Sequence, residues 1–179
     1  MIITISGKPG SGKSSMAKML SEKYNLKYHS TGDFFRSKAK EKGMSLKEYS
    51  ILAEKEREHD KETDNWQTNL GKTEDNFVID GRLSHRFIKK AIKIYLDIDK
   101  VEGSKRIMNE KREGEIMINK KQAIELWEHR VNSEHARYSK YYNIDIHHKG
   151  QYDLVLDTTK LTKDQVFEKL CEFVDKIRK

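Results

Sequence analysis

The 179-residue chain has a single proline, Pro9, and a single cysteine, Cys171. A lone cysteine excludes an intrachain disulfide, and Cys171 reads as a small buried apolar residue on the last helix. No apolar run approaches the roughly 20 residues that cross a bilayer. Met1 runs straight into an apolar strand, so no leader is expected. A reducing, cytoplasmic setting is the expectation, with no membrane partner. Hydrophobic residues are scarce at 35% and charged residues plentiful at 36%, yet the apolar ones come in ordered bursts, which excludes global disorder. His129, His135, His147 and His148 lack metal-ligand spacing and read as surface or locally hydrogen-bonded groups. The formal charge is +7, but basic and acidic residues alternate, as in AEKEREHDKE. The single-sign stripe of a nucleic-acid binder is missing. A lysine-rich solvated surface and a basic cleft for a polyanionic substrate both remain open.

What is present is concentrated near the start. Residues 7–14 read GKPGSGKS directly behind the apolar run IITIS, and helical spacing of Met16, Ala17, Met19 and Leu20 follows. This is the G-x-x-x-x-G-K-[ST] phosphate-binding loop in its strand–loop–helix setting. Loop amides and the positive end of a helix converge there on one point. The predicted occupant is a nucleoside triphosphate held by Gly7, Lys8, Pro9, Gly10, Ser11, Gly12, Lys13, Ser14 and Ser15, with Lys13 reaching the β/γ-phosphates and Ser14 on Mg²⁺.

The spacing along the rest of the chain predicts strands at 2–6, 27–30, 76–80, 91–98 and 152–158. Helices are predicted at 13–24, from a cap near Asp33, at 45–57, at 59–71 ending on Gly71, at about 100–111, at 119–142 and at 162–178. Leu46, Tyr49, Leu52 and Ala53 share one face of the 45–57 helix. Val166, Leu170, Phe173 and Val174 share one face of the last. Residues 143–151 are the longest connection. Strands alternating with helices imply one α/β domain, residues 1–179, built on a parallel sheet whose ligands bind beyond the strands' carboxyl ends.

Asp80 ends an apolar strand and is the natural carboxylate to order Mg²⁺ waters, an ordinary strand-terminal Asp being the alternative. The basic residues carry a further signal, because Lys outnumbers Arg 27 to 9. In such a chain an arginine marks a need for its bidentate fork. Arg36, Arg82, Arg130 and Arg137 fall on the predicted ligand edge, the last two seven apart on one helix face. Arg106 and Arg112 bracket a stretch without periodicity, about 111–118. That is more guanidinium than one triphosphate needs, and it suggests a second phosphorylated substrate.

GKPGSGKS, STGDFFR at 30–36, VIDGR at 78–82, RVNSEHARY at 130–138 and YDLVLDT at 152–158 together resemble the cytidylate kinases of the compact archaeal type, within the nucleoside monophosphate kinases. The resemblance covers nearly the whole chain. It implies transfer of the ATP γ-phosphate to CMP and dCMP, and a five-stranded parallel sheet in the order 2-3-1-4-5. It also implies a monophosphate-binding region at about 31–72, a lid at about 111–118, and a monomer. Carried over by position, Arg36, Arg82 and Arg137 hold the acceptor phosphate, Arg130 and Glu134 sit near its ribose and phosphate, and Thr31 faces the base. Arg106 and Arg112 close over ATP, while Asp157 and Thr158 border its base. Lys13, Arg82, Arg130 and Arg137 are the catalytic set.

One departure stands out. Bacterial cytidylate kinases carry DGRD after the third strand, the second Asp helping to read cytosine, whereas this chain has DGRL with Leu83 in that place. Asp60 and Asp64 lie four apart on one helix face. Either a carboxylate there accepts from the cytosine amino group, or the pair belongs to a solvated charged face. AMP and UMP kinases are neighbouring possibilities, but a DGFPR-like loop is missing, and so is the Gly-Gly-Gly motif of shikimate kinases. An acceptor-independent phosphate-loop ATPase is the reading from another class.

Overall fold

The computed structural model describes residues 1–109 and 119–178. The proposed lid, with Arg112, lies outside them. Five parallel strands form one sheet: β1 (Ile2–Gly7), β2 (Lys27–Ser30), β3 (Phe77–Asp80), β4 (Ile92–Asp97) and β5 (Leu154–Asp157), in the order β2-β3-β1-β4-β5. This is the order that the family resemblance implies. All six residues of β1 are buried, as a strand flanked on both sides and covered on both faces requires.

The helices are α1 (Lys13–Tyr24), α2 (Thr31–Glu41), α3 (Leu46–Lys55), α4 (Glu58–Thr73), α5 (Ser84–Phe87), α6 (Lys100–Asn109), α7 (Lys120–Tyr142) and α8 (Lys163–Ile177). Three of them, α3, α7 and α8, open on a complete capping box, from Ser45–Glu48, Asn119–Gln122 and Thr162–Gln165. Two helix ends differ from the sequence reading. Ser30, not Asp33, caps α2, its hydroxyl accepting from the Asp33 amide. And α4 runs through Gly71 to Thr73, because Gly71 lies against the Ile88 side chain within the helix rather than ending it. On α3, Tyr49 and Ala53 are buried but Leu46 is 44% exposed. On α8, Val166, Leu170 and Val174 are buried while Phe173 is half-buried. Cys171 is half-buried rather than core.

The described chain divides into two compact units. The first, Met1–Ser6 with Ala17–Lys93, holds β1 to β3 and α2 to α5, and its core joins Ile2, Leu70, Phe77, Ile79, Ile88 and Ala91. The monophosphate-binding region predicted at 31–72 falls within it. The second, Gly7–Met16 with Ile94–Lys179, holds the phosphate loop, β5, and α6 packed on α7. No described helix is long and apolar enough to cross a membrane.

Each unit buries one imidazole whose proton affinity is depressed. Burial lowers the pKa of His29 on β2 below 6.5, against an opposing pull from Glu74. Burial does the same to His147, helped by the charge of Lys8, and the ring is bonded to the Tyr95 hydroxyl at 2.8 Å. A histidine whose folded pKa lies below its unfolded value binds more protons when unfolded, so stability falls as pH drops through that window. The thermal midpoint is expected to fall between pH 7 and pH 5, above the range in which carboxylates titrate, and replacing both histidines with asparagine is expected to flatten that slope. An equal slope in the double variant would assign the loss to other groups.

Candidate active site

The phosphate loop in the second unit is built by close backbone approach. Gly10 has φ of +75°, and a Cβ there would come within 2.3 Å of the Gly103 carbonyl oxygen of α6, so only glycine fits. Lys8 is tied back by its amide to the Leu96 carbonyl at 3.2 Å and by its ammonium to Asp97 at 2.8 Å. Lys149 meets the other Asp97 oxygen at 3.1 Å. Burial opposes the charge on Asp97, yet the two lysines hold its carboxyl below the ordinary range. The Lys13 ammonium rests on the Lys8 carbonyl at 2.7 Å, across the mouth of its own loop. Ser14 and Ser15 are exposed at the start of α1. The Trp127 indole of α7 donates to the Pro9 carbonyl at 2.9 Å.

The segment after β5 is fastened to this loop. Thr158 is fully buried, and its hydroxyl reaches the carbonyls of Asp97 at 3.0 Å and Ser11 at 3.4 Å. Asp157 is exposed and accepts from the amide and hydroxyl of Thr159. Arg106, the side chain expected to close over ATP, is engaged at the turn after β5. Its guanidinium bonds Glu102 at 3.0 Å and the Thr158 carbonyl at 2.9 Å, with the carbonyls of Thr159 and Leu161 each at 3.4 Å. It is a strut beneath the 158–161 turn. On α7, Arg130 is exposed and paired with Glu134 at 3.1 Å, whereas Arg137 is half-buried, bonded to the Tyr138 hydroxyl at 3.2 Å.

In the first unit, Asp80 is buried and gripped twice. The Tyr28 hydroxyl donates to its carboxylate at 3.0 Å, and the Thr31 hydroxyl donates to its carbonyl at 3.2 Å. Burial, with the Asp80 charge beside it, pushes the Tyr28 phenol far above its usual range, so it stays a donor. The turn after Asp80 is just as constrained. Ser6 donates to the Gly81 carbonyl at 2.9 Å, Ser84 donates to Gln67 at 2.7 Å, and a Cβ on Gly81 would fall 2.3 Å from the Ser84 hydroxyl and 2.6 Å from Thr31. These contacts fix the backbone that carries Arg82. Arg36 is exposed and its guanidinium is held by Asp33 one turn back.

Asp60 is only 6% exposed, which removes the solvated-face reading for it; Asp64 is half-buried. It shares the buried face of α4 with His59, Thr63 and Gln67. The ring of Tyr49 meets His59 edge-on at 5.0 Å. Leu83 is buried and brings no polar group. Tyr28 and Trp127 are the site residues that sequence reasoning missed. Each acts through a partner distant in sequence, and neither carries a motif.

The sequence profile of the cytidylate kinase-like family matches residues 2–160. A cytidylate kinase of Methanocaldococcus jannaschii is 39% identical over the full length of both chains. One from Methanococcoides burtonii is 36% identical over 98% of this chain and 97% of its own. Among solved structures, a protein from Eubacterium ventriosum superposes with a TM-score of 0.72 at 22% identity, covering 98% of each chain. A shikimate kinase from Bacteroides thetaiotaomicron superposes with a TM-score of 0.67 at 14% identity, also over 98% of each. At those identities the two structures speak to the fold alone. The profile match and the full-length relatives settle the family: this chain belongs to the cytidylate kinase-like family.

Proposed function

We propose that the protein transfers the γ-phosphoryl group of ATP to CMP, and to dCMP, giving ADP and CDP or dCDP, as a cytoplasmic monomer. The observation that carries this reading is full-length likeness to cytidylate kinases in a chain whose phosphate loop is held rigidly by Asp97, Thr158 and Trp127. Loop amides bind the donor phosphates and Lys13 neutralises the β/γ charge. Arg36, Arg82 and Arg137 receive the acceptor phosphate, with Arg130 and Glu134 beside it and Thr31 toward the base. Thr158 and Asp157 border the adenine. Asp60 reads the cytosine amino group in place of the missing carboxylate at Leu83, with Asp64 one turn away.

Mg²⁺ suits the hard oxygens of Ser14 and Asp80, and when bound it supplies charge neutralisation at the β- and γ-phosphates. Tyr28 fixes one carboxylate oxygen of Asp80 and so sets the direction of the other. No side chain is needed as a strong base, since the acceptor phosphate is already a competent nucleophile near pH 7. Positioning and charge stabilisation carry the reaction.

ADP release from ATP is the measurement, with CMP, dCMP, UMP and AMP supplied in turn. CMP-dependent release at least tenfold above the AMP and UMP rates is expected. Release that prefers AMP or UMP would make this a kinase of another acceptor. Release without any acceptor would make it an ATPase.

A further inference from the structure

The peptide between Pro9 and Gly10 has little torsional restraint of its own. The proline ring locks its own φ but leaves ψ free, and Gly10 at φ +75° has no side chain to oppose rotation. Turning that one peptide plane would cost little by itself. Its two polar groups point in opposite directions, because a trans peptide is planar. Wherever the Pro9 carbonyl points, the Gly10 amide points the other way.

The Trp127 indole removes this freedom. Its Nε1–H donates to the Pro9 carbonyl at 2.9 Å, across 118 residues of sequence, in a setting where Trp127 is only 7% exposed. The ring packs closely on α6: a Cβ on Gly103 would lie 2.7 Å from that same nitrogen. The Pro9 carbonyl is therefore turned toward Trp127, and the Gly10 amide points the opposite way. A buried carbonyl stripped of its donor would favour reorientation of the plane.

We propose that Trp127 is a positioning residue for the donor phosphates, acting through the Pro9 carbonyl to hold the Gly10 amide in its anion-binding direction. This rests on residues 7–14 being the donor loop. The test is calorimetric binding of ADP and, separately, of CMP to Trp127→Phe, which keeps a large ring but has no donor. ADP is expected to bind about tenfold more weakly and CMP within twofold of the parent protein. Unchanged ADP affinity would overturn the inference, as would an equal loss for both ligands, the mark of general loosening. Lys13→Ala separates the two claims, since unchanged ADP binding there would overturn the loop reading itself.

Should Trp127→Phe fail to fold, the parent protein gives the answer by NMR. The chain has two tryptophans, so Trp66→Phe assigns the indole signals. The Trp127 indole proton is expected to exchange slowly with water and to shift on saturation with ADP. No shift at saturation would overturn the proposal.

Discussion

Lys13→Ala is expected to lower kcat/KM for ATP about 10³-fold with the fold intact. Its ammonium already lies across the loop mouth, bonded to the Lys8 carbonyl at 2.7 Å, and exchanging that oxygen for a phosphate oxygen requires little movement. The other lysine of the loop cannot substitute. Lys8 is committed to Asp97 at 2.8 Å, and releasing it would leave a partly buried carboxylate with Lys149 alone. Alanine at the first position of α1 is a good helix former, so the loss should fall on chemistry and not on folding. A coupled assay at saturating CMP reads the effect, and circular dichroism checks the fold. Activity within tenfold of the parent would remove Lys13 from the transition state.

Arg82→Lys is expected to cost about 10²-fold or more in kcat although the charge is kept. The backbone at this position is fixed by Ser6, by the Ser84–Gln67 bond, and by the close approach of Gly81 to Thr31. A lysine would therefore leave from the same point with the same reach. It would lack the planar fork that binds two phosphate oxygens at once. The chain prefers lysine three to one, so the substitution also asks whether this arginine is a matter of geometry or of composition. Single-turnover kinetics separates a lost chemical step from lost CMP binding. A near-normal rate would show that charge alone suffices at position 82.

The parallel sheet, the phosphate loop and most helix bounds were legible in the sequence because each leaves a local trace, whereas the strand order came from the family resemblance. Helix α1 at 13–24 follows from its apolar spacing, and the box at Ser45 from residue types three apart. What was not legible depended on geometry among equals. Ser30 and Asp33 are both good caps, and only the backbone decides which carbonyl-side residue turns its oxygen onto the helix amides. Gly71 carries the usual signal of a helix end, yet the sequence cannot see Ile88 pressed against it. The four residues of α5 are too few for a period to emerge. Arg106 shows the limit for function: its place in the sequence put it near the nucleotide, while its hydrogen bonds to the 158–161 carbonyls are tertiary. Tyr28 and Trp127 belong to the same category, with partners 52 and 118 residues away.

The buried first strand has a consequence for biosynthesis. β1 leaves the ribosome well before β3, the strand it pairs with, whose register sets Ile2 opposite Phe77. At roughly 5–20 residues per second, several seconds pass between synthesis of the two strands. During that interval IITISG is a nascent apolar segment with unpaired edges, of the kind that seeks strands on other chains. Yield in cells should therefore depend on translation speed and on chaperone supply in a way that the finished enzyme's stability does not reveal.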